Sequence, residues 1–222
     1  MGAETPKQFL ELDGVPIVIF TLRRLAACPS ITELWIATRA EDVDSLAARV
    51  AQEKFAQPVR VVRGGGTRQE SVEHALAEIS ADVEIVLVHD AVRPLVTREQ
   101  VERCIAEARA RGAAILGIPA IDTVKEVKRA SLPEDMALIN ATIPRERIVL
   151  AQTPQAFRTA VLREAFSRAK QDGINASDEA GLVERTGHPV YVVTGSDHNL
   201  KITRPADMDL ARFYLAQERV QK

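Results

Sequence analysis

Short apolar runs alternate with amphipathic stretches of helical length along most of the chain. This alternation restricts the fold more than any other feature of the sequence. The runs at 34–38, 59–62, 85–88, 113–118 and 190–193 are apolar almost throughout. A strand with one face in water reads as an alternation of apolar and polar residues, whereas a near-continuous run fits a parallel strand covered on both faces. Helices are predicted over 16–26, 42–54, 68–79, 97–110, 159–170, 177–186 and 205–217. Thr97 followed by Gln100 is a capping-box signature, with Thr97 as the N-cap. Strand–helix alternation of this kind predicts an α/β fold with a mainly parallel sheet flanked by helices.

The 222 residues are read as one domain, and their 46% hydrophobic content supplies a core, which excludes a wholly disordered chain. Twenty-nine basic against 31 acidic residues leave a net charge of −2, so nothing supports a nucleic-acid partner held by bulk positive charge. Cys28 and Cys104 form neither a CxxC pair nor a Cys/His cluster. Their isolation argues against a disulfide scaffold or a zinc site and fits a reducing compartment. No run of 18 apolar residues occurs, so no membrane span is expected. The opening MGAETPKQFL lacks the basic and apolar segments of a secretory signal. These absences make a cytoplasmic location the expectation.

One stretch breaks the alternation. Extended pieces at 123–128, 137–143 and 148–151 surround a polar turn at 131–135, with no helical pattern between them. An excursion of this length is either an ordinary hairpin folded onto the domain or an inserted β-arm that contacts another subunit. The excess length favours an arm over about 122–151.

Several polar positions fall at predicted loops and strand ends. Gly64-Gly65-Gly66-Thr67-Arg68 follows a strand and opens a helix, with Arg68 and Ser71 in its first turn. Small residues admit a ligand close to the backbone, and a helix start offers free N–H groups. A triple glycine alone is more simply a flexible turn. His89-Asp90-Ala91-Val92-Arg93-Pro94 follows the strongest strand, where open α/β sheets bind ligands. Asp90 suits ligand hydroxyls or a nearby divalent cation. Arg93 either binds an anion or braces the turn through Asp90, and His89 reads as structural rather than catalytic. Lys7 sits in Pro6-Lys7-Gln8, where a lone lysine is ordinarily solvated. Lys201, between Leu200 and Ile202, points away from both, toward solvent or a polyanion. A phosphate-rich ligand is the simplest reason for Lys7, Arg68, Arg93, Arg145 and Lys201 to converge. No Ser–His–Asp order, HExxH motif or cysteine nucleophile supports covalent hydrolysis.

Taken together, PKQF, GGGTRQESV, HDAVRP, DTVK, AQTPQAF, SDEAGLVE and NLKITRP are spaced along the whole chain. In this order they resemble the 2-C-methyl-D-erythritol 4-phosphate cytidylyltransferases of the non-mevalonate isoprenoid pathway. The ribitol-5-phosphate cytidylyltransferases share much of the pattern and stand as the alternative, as does a catalytically silent nucleotide-binding homologue. The resemblance implies a Rossmann-like nucleotidyltransferase, working as a homodimer with interlocked β-arms. In the implied reaction a sugar-alcohol phosphate attacks the α-phosphate of CTP, Mg²⁺ assists, and pyrophosphate leaves. By position the resemblance assigns Lys7 and Lys201 to the triphosphate, and Gly65, Gly66, Arg68 and Ser71 to the cytidine. It puts Asp90 and Arg93 near the ribose and the acceptor. Thr123 and Arg145 become arm residues that hold the acceptor phosphate across the dimer, with Thr153 close by. Ser177 stands where the family more often has threonine. The family's pattern also opens with a strand and a glycine-rich PAAGxGxRM loop around the triphosphate. Met1 falls on the last residue of that motif, so the chain as written is expected to lack the loop and the first strand and, alone, to be inactive or nearly so.

Overall fold

The computed structural model describes residues 6–128 and 136–220. A 3-10 turn at Lys7–Phe9 leads into a short hairpin, β1 (Glu11–Leu12) and β2 (Val15–Pro16). Asp13 and Gly14 between them have φ of 51° and 77°, the positive values that a two-residue primed turn requires. There follow α1 (Ile17–Ala26), β3 (Leu34–Thr38), α2 (Val43–Ala51), β4 (Val59–Arg63), α3 (Arg68–Glu78), β5 (Ile85–Val88), α4 (Arg98–Arg111) and β6 (Ala113–Pro119). The chain then runs out along β7 (Val124–Lys128) and back through β8 (Leu138–Ile143) and a 3-10 turn at Arg145–Arg147. It re-enters the sheet as β9 (Val149–Arg158), followed by α5 (Thr159–Asp172), α6 (Glu179–Arg185), β10 (Tyr191–Thr194) and α7 (Pro205–Val220). Every predicted helix and strand is present, and the β1–β2 hairpin and the 152–158 part of β9 are additions. The polar turn at 131–135 lies outside the described residues.

The larger sheet has the order β10-β6-β9-β5. β10 and β6 are parallel, and β9 runs antiparallel to both β6 and β5, so the sheet is mixed: β5, β6 and β10 share one direction, as the apolar runs predict, and β9 alone is reversed. The reason lies in the connection. The chain leaves β6 through the β7–β8 ribbon and returns without a helical crossover, and a return of that kind enters antiparallel. The segment 148–151, read as part of the arm, already pairs with the sheet: Ala151 faces Gly117 and Val149 faces Pro119. The register then slips, because the next pair is Gln155 with Ile115. Gln152, Thr153 and Pro154 therefore bulge out of the ladder, and a bulge re-aims side chains.

Alternate residues of β6 enter different cores. Ala114 and Leu116 pack with α1 and α4, while Ala113 and Ile115 pack with Phe157 and the apolar faces of α5 and α6. Both faces of the strand are dry, which is why its sequence is apolar throughout. A third cluster joins Leu12 and Ile17 to Ile202 and α7. Among the described residues β3 pairs only with β4, in parallel, and β5 only with β9. A cavity of about 740 Å³ lies between β3 and β5, walled by both strands. At its polar end it reaches Arg68, Ser71, His89, Asp90 and Lys201.

Candidate functional site

The polar end of this cavity is built where β4 and β5 stop and α3 begins. The Gly64 amide donates to the Thr38 carbonyl (2.7 Å), tying the glycine loop to the end of β3. Gly65 N–H donates to Ser71 Oγ (3.1 Å), and Gly66 N–H to Glu70 Oε2 (2.7 Å). Thr67 and Glu70 complete a reciprocal capping box at the start of α3. The loop is thus folded back onto its own helix, with these amides bonded inside it. A Cβ at Gly65 would run into the Glu70 side chain, so this close approach requires glycine.

Asp90, just past β5, is the electrostatic centre. Its Oδ2 lies 2.9 Å from Lys201 Nζ and 3.6 Å from Arg93 Nε, and its Oδ1 lies 3.4 Å from Arg68 Nε. Burial alone raises the affinity of this carboxyl for a proton, but Lys201, Arg68 and Arg93 together hold its pKa below the ordinary value. Arg93 is itself lowered by burial, against the pull of Asp90. Its Nη1 donates to the Asn199 carbonyl (2.6 Å), which joins the turn after β5 to the segment carrying Lys201.

Behind Asp90 the bulge of β9 delivers Thr153. The Asp90 amide donates to Thr153 Oγ1 (3.0 Å), and that hydroxyl lies 3.0 Å from His89 Nδ1. His89 Nε2 sits 3.1 Å from the Arg93 carbonyl, which only accepts, so Nε2 carries the proton and Nδ1 accepts from Thr153. Burial pushes the His89 pKa down to about 4. The ring is a neutral brace, as its sequence context suggested. Asn199, fully buried, donates through Nδ2 to the Thr153 carbonyl (2.8 Å) and to Gln152 Oε1 (3.2 Å), holding the bulge from the other side.

Arg68, Asp90, Arg93, Lys201, Thr153 and Ser71 are therefore gathered in one place, with Gly65 and Gly66 beside them. Lys7 is not in the cluster. It is exposed on the 3-10 turn, while its neighbour Gln8 lines the cavity. Thr123 and Arg145 stand at the base of the β7–β8 ribbon, both exposed, and Arg145 donates to the Ile121 carbonyl. Ser177 is exposed just ahead of α6. The sequence reading assigned no role to Glu179, whose carboxylate forks onto Arg68, or to the buried amides Gln152, Gln155 and Asn199. All four lie inside the resembling segments AQTPQAF, SDEAGLVE and NLKITRP, but what each one holds becomes legible only once its partner is known.

Among the described residues no three His, Cys, Asp or Glu side chains gather into a metal cage. Asp90 faces the cavity, while Glu179 is engaged by Arg68. This donor set fits a Mg²⁺ ion that keeps most of its ligands from water and phosphate and takes few from protein.

The model of the family IspD, described as 2-C-methyl-D-erythritol 4-phosphate cytidylyltransferase, matches residues 1–217. The chain is 52% identical over 213 residues to the protein of that name from Acidobacterium capsulatum, covering 96% of this chain and 88% of the relative. Among solved structures, 4-diphosphocytidyl-2C-methyl-D-erythritol synthase from Anaerococcus prevotii superposes with a TM-score of 0.82 at 27% identity, over 93% of this chain and 88% of the other. The 2-C-methyl-D-erythritol 4-phosphate cytidylyltransferase from Thermus thermophilus gives a TM-score of 0.76 at 36% identity, over 94% and 93% of the two chains.

Proposed function

The chain belongs to the 2-C-methyl-D-erythritol 4-phosphate cytidylyltransferase family, and on that premise we propose how its residues carry out cytidylyl transfer. A phosphate oxygen of 2-C-methyl-D-erythritol 4-phosphate attacks the α-phosphorus of CTP. The bond from that phosphorus to the bridging oxygen breaks, and pyrophosphate leaves with the electron pair. The nucleophile is already an anion, so the enzyme needs no strong general base. Its task is to bring two anions together and to stabilise the charge that grows on the leaving oxygen.

The observation that carries this reading is the set of three cations around Asp90 at the polar end of the cavity. With Glu179 included, the group Arg68, Arg93, Lys201, Asp90 and Glu179 sums to three positive and two negative charges, +1. An arriving triphosphate competes with Asp90 for Lys201 and draws that ammonium onto its own oxygens. In this assignment Lys201 takes the phosphates from within the cluster and Lys7 from outside it, on the 3-10 turn whose Gln8 lines the cavity, while Gly65, Gly66, Arg68 and Ser71 hold the cytidine. Asp90 receives the ribose hydroxyls, and Arg93 and Thr153 border the acceptor. Mg²⁺ bound with CTP would neutralise triphosphate charge, taking most of its ligands from phosphate and water oxygens.

The acceptor phosphate is held by Thr123 and Arg145 of a second copy of the chain. Supporting this dimer, the ribbon carries large apolar side chains in the open: Leu138 is 64% exposed and Ile139 58%, more than a surface ribbon keeps without a partner. A cytoplasmic setting agrees with two buried free cysteines and with the finding that no helix among the described residues is long and apolar enough to cross a membrane.

The test is calorimetry with CTP and Mg²⁺, followed by pyrophosphate release on addition of the acceptor. Saturable CTP binding is expected, with release that depends on 2-C-methyl-D-erythritol 4-phosphate. Lys201→Ala is expected to lower turnover about 10²–10³-fold relative to the unaltered protein, the effect of removing one preorganised donor. Undiminished turnover in that variant would refute the charge-clamp role.

A further inference from the structure

We infer that Glu179 is a positioning residue that locks the Arg68 guanidinium in place for the nucleotide before the nucleotide arrives. The inference rests on the assignment of Arg68 to the CTP site.

Glu179 is 1% exposed, yet it is a carboxylate. Taking an ion out of water costs several kcal/mol unless a partner of good geometry meets it. That partner is Arg68. Arg68 Nη1 lies 2.6 Å from Glu179 Oε1, and Nη2 lies 2.9 Å from Oε2, a fork-to-fork pair. The third side of the same guanidinium, Nε, faces Asp90. Arg68 is thus pinned between two carboxylates while its side chain stays 36% exposed toward the cavity.

Both ends of this pair are anchored. On the glutamate side, Gln155 of β9 donates to Asp178 Oδ2 (2.8 Å) and accepts from the Ala180 amide (3.0 Å), on either side of Glu179 in sequence. Asp178 also caps the Gly181 amide (3.1 Å). On the arginine side, Gln69 donates to the Ile174 carbonyl (3.1 Å) and accepts from the Ala176 amide (2.9 Å), docking α3 onto the segment that leads into α6. A sheet strand, a helix start and a loop therefore converge to fix one ion pair. Nothing in the proposed chemistry uses the Glu179 carboxylate itself, which is turned away from solvent.

The physical consequence is preorganisation. A free arginine gives up rotamer freedom when it binds a ligand, and a clamp that holds it beforehand removes that cost from binding. The clamp also keeps Arg68 beside Asp90, so the two present a fixed donor–acceptor pair to the nucleoside.

A double-mutant cycle on CTP affinity tests this, with Mg²⁺ present, by calorimetry on Glu179→Gln, Arg68→Ala and the double variant. Glu179→Gln keeps the shape and removes the charge. It is expected to weaken CTP binding about tenfold, in the range of pairs that act as a unit, while affinity for the acceptor alone stays within about twofold. The double variant is expected to bind CTP no worse than Arg68→Ala. If Glu179→Gln weakens binding by the same factor with Arg68 absent, or has no effect while Arg68→Ala is damaging, the positioning role is overturned and the assignment of Arg68 survives. If Arg68→Ala binds CTP normally, that assignment fails and the inference fails with it. Glu179→Asp guards against misfolding of the glutamine variant. It retains the charge one methylene short, and is expected to bind CTP with affinity between those of the unaltered protein and Glu179→Gln. Loss of folding in Glu179→Asp with normal CTP binding by its folded fraction would likewise overturn the inference.

Discussion

At the scale of single residues, the site owes its shape to groups that take no part in transfer. His89 is the clearest, since its proton sits on Nε2 and its Nδ1 receives the Thr153 hydroxyl that in turn holds the Asp90 amide. Protonation of Nδ1 replaces that acceptor with a donor and places a cation beside Arg93. The fold therefore favours the neutral ring, and burial depresses the pKa from 6.5 to about 4. A depressed histidine contributes stability that is complete above pH 6.5 and is lost as pH falls through the interval from 6.5 to about 4. The size is up to about 3 kcal/mol. Urea unfolding of the unaltered protein and of His89→Gln between pH 7 and 4 checks this. The unaltered protein should lose more stability than the variant over that range, and parallel losses would rule out the neutral-brace account. Asp90 and Arg93 were legible in the sequence because a polar cluster after a buried strand has few other uses, and Lys201 because a lysine between Leu200 and Ile202 points away from both. Glu179 was not, because it meets Arg68 across 111 positions of chain and nothing local marks the pairing. Lys7 and Arg145 show the converse. Sequence placed them near loop ends, but it does not fix the direction in which an exposed side chain points.

At the scale of elements, the helices were readable because their signals are local, whereas β9 was not. Of its ten residues only 149–151 were read as extended, as part of the arm, and the rest was assigned to no element; a proline inside a strand weakens the strand's signal. The structure keeps the strand and moves the proline into the bulge, where the missing N–H costs no ladder bond, and the same bulge carries Thr153 to Asp90. The two capping boxes allow a paired experiment. Thr67 and Thr97 cap α3 and α4 in the same reciprocal way, so alanine at either should cost about 1 kcal/mol. Only the first box also ties down the glycine loop, because Glu70 bonds the Gly66 amide as well as that of Thr67. Thr67→Ala should therefore weaken CTP binding, while Thr97→Ala should lower the denaturation midpoint and leave CTP affinity unchanged. Equal effects of the two on CTP would mean that the loop does not depend on its cap.

At the scale of the whole molecule, the chain divides its labour between a sheet that gathers cations and a ribbon that leaves apolar residues in water. Length and the absence of helix marked the ribbon in the sequence, but its end was placed too late because 148–151 is equally good as sheet. The exposed residues lie on both sides of the junction: Ile121 before β7, Leu138 and Ile139 on β8, and Val149 and Leu150 at the start of β9. A patch continuous from ribbon to sheet suits a second copy crossing at that point, since a two-fold contact uses the same patch twice. Two measurements follow if each arm lends Thr123 and Arg145 to its neighbour's site. Sedimentation equilibrium should give twice the 24.3 kDa chain mass for the unaltered protein and the single mass for a Leu138→Asp, Ile139→Asp double variant. The monomer should keep its own Asp90 cluster and bind CTP within about twofold, but lose affinity for the acceptor by about tenfold or more, because charge-assisted contacts to its phosphate come from the other protomer. A monomeric variant that still holds the acceptor normally would separate dimerisation from the site and confine the arm to an architectural role.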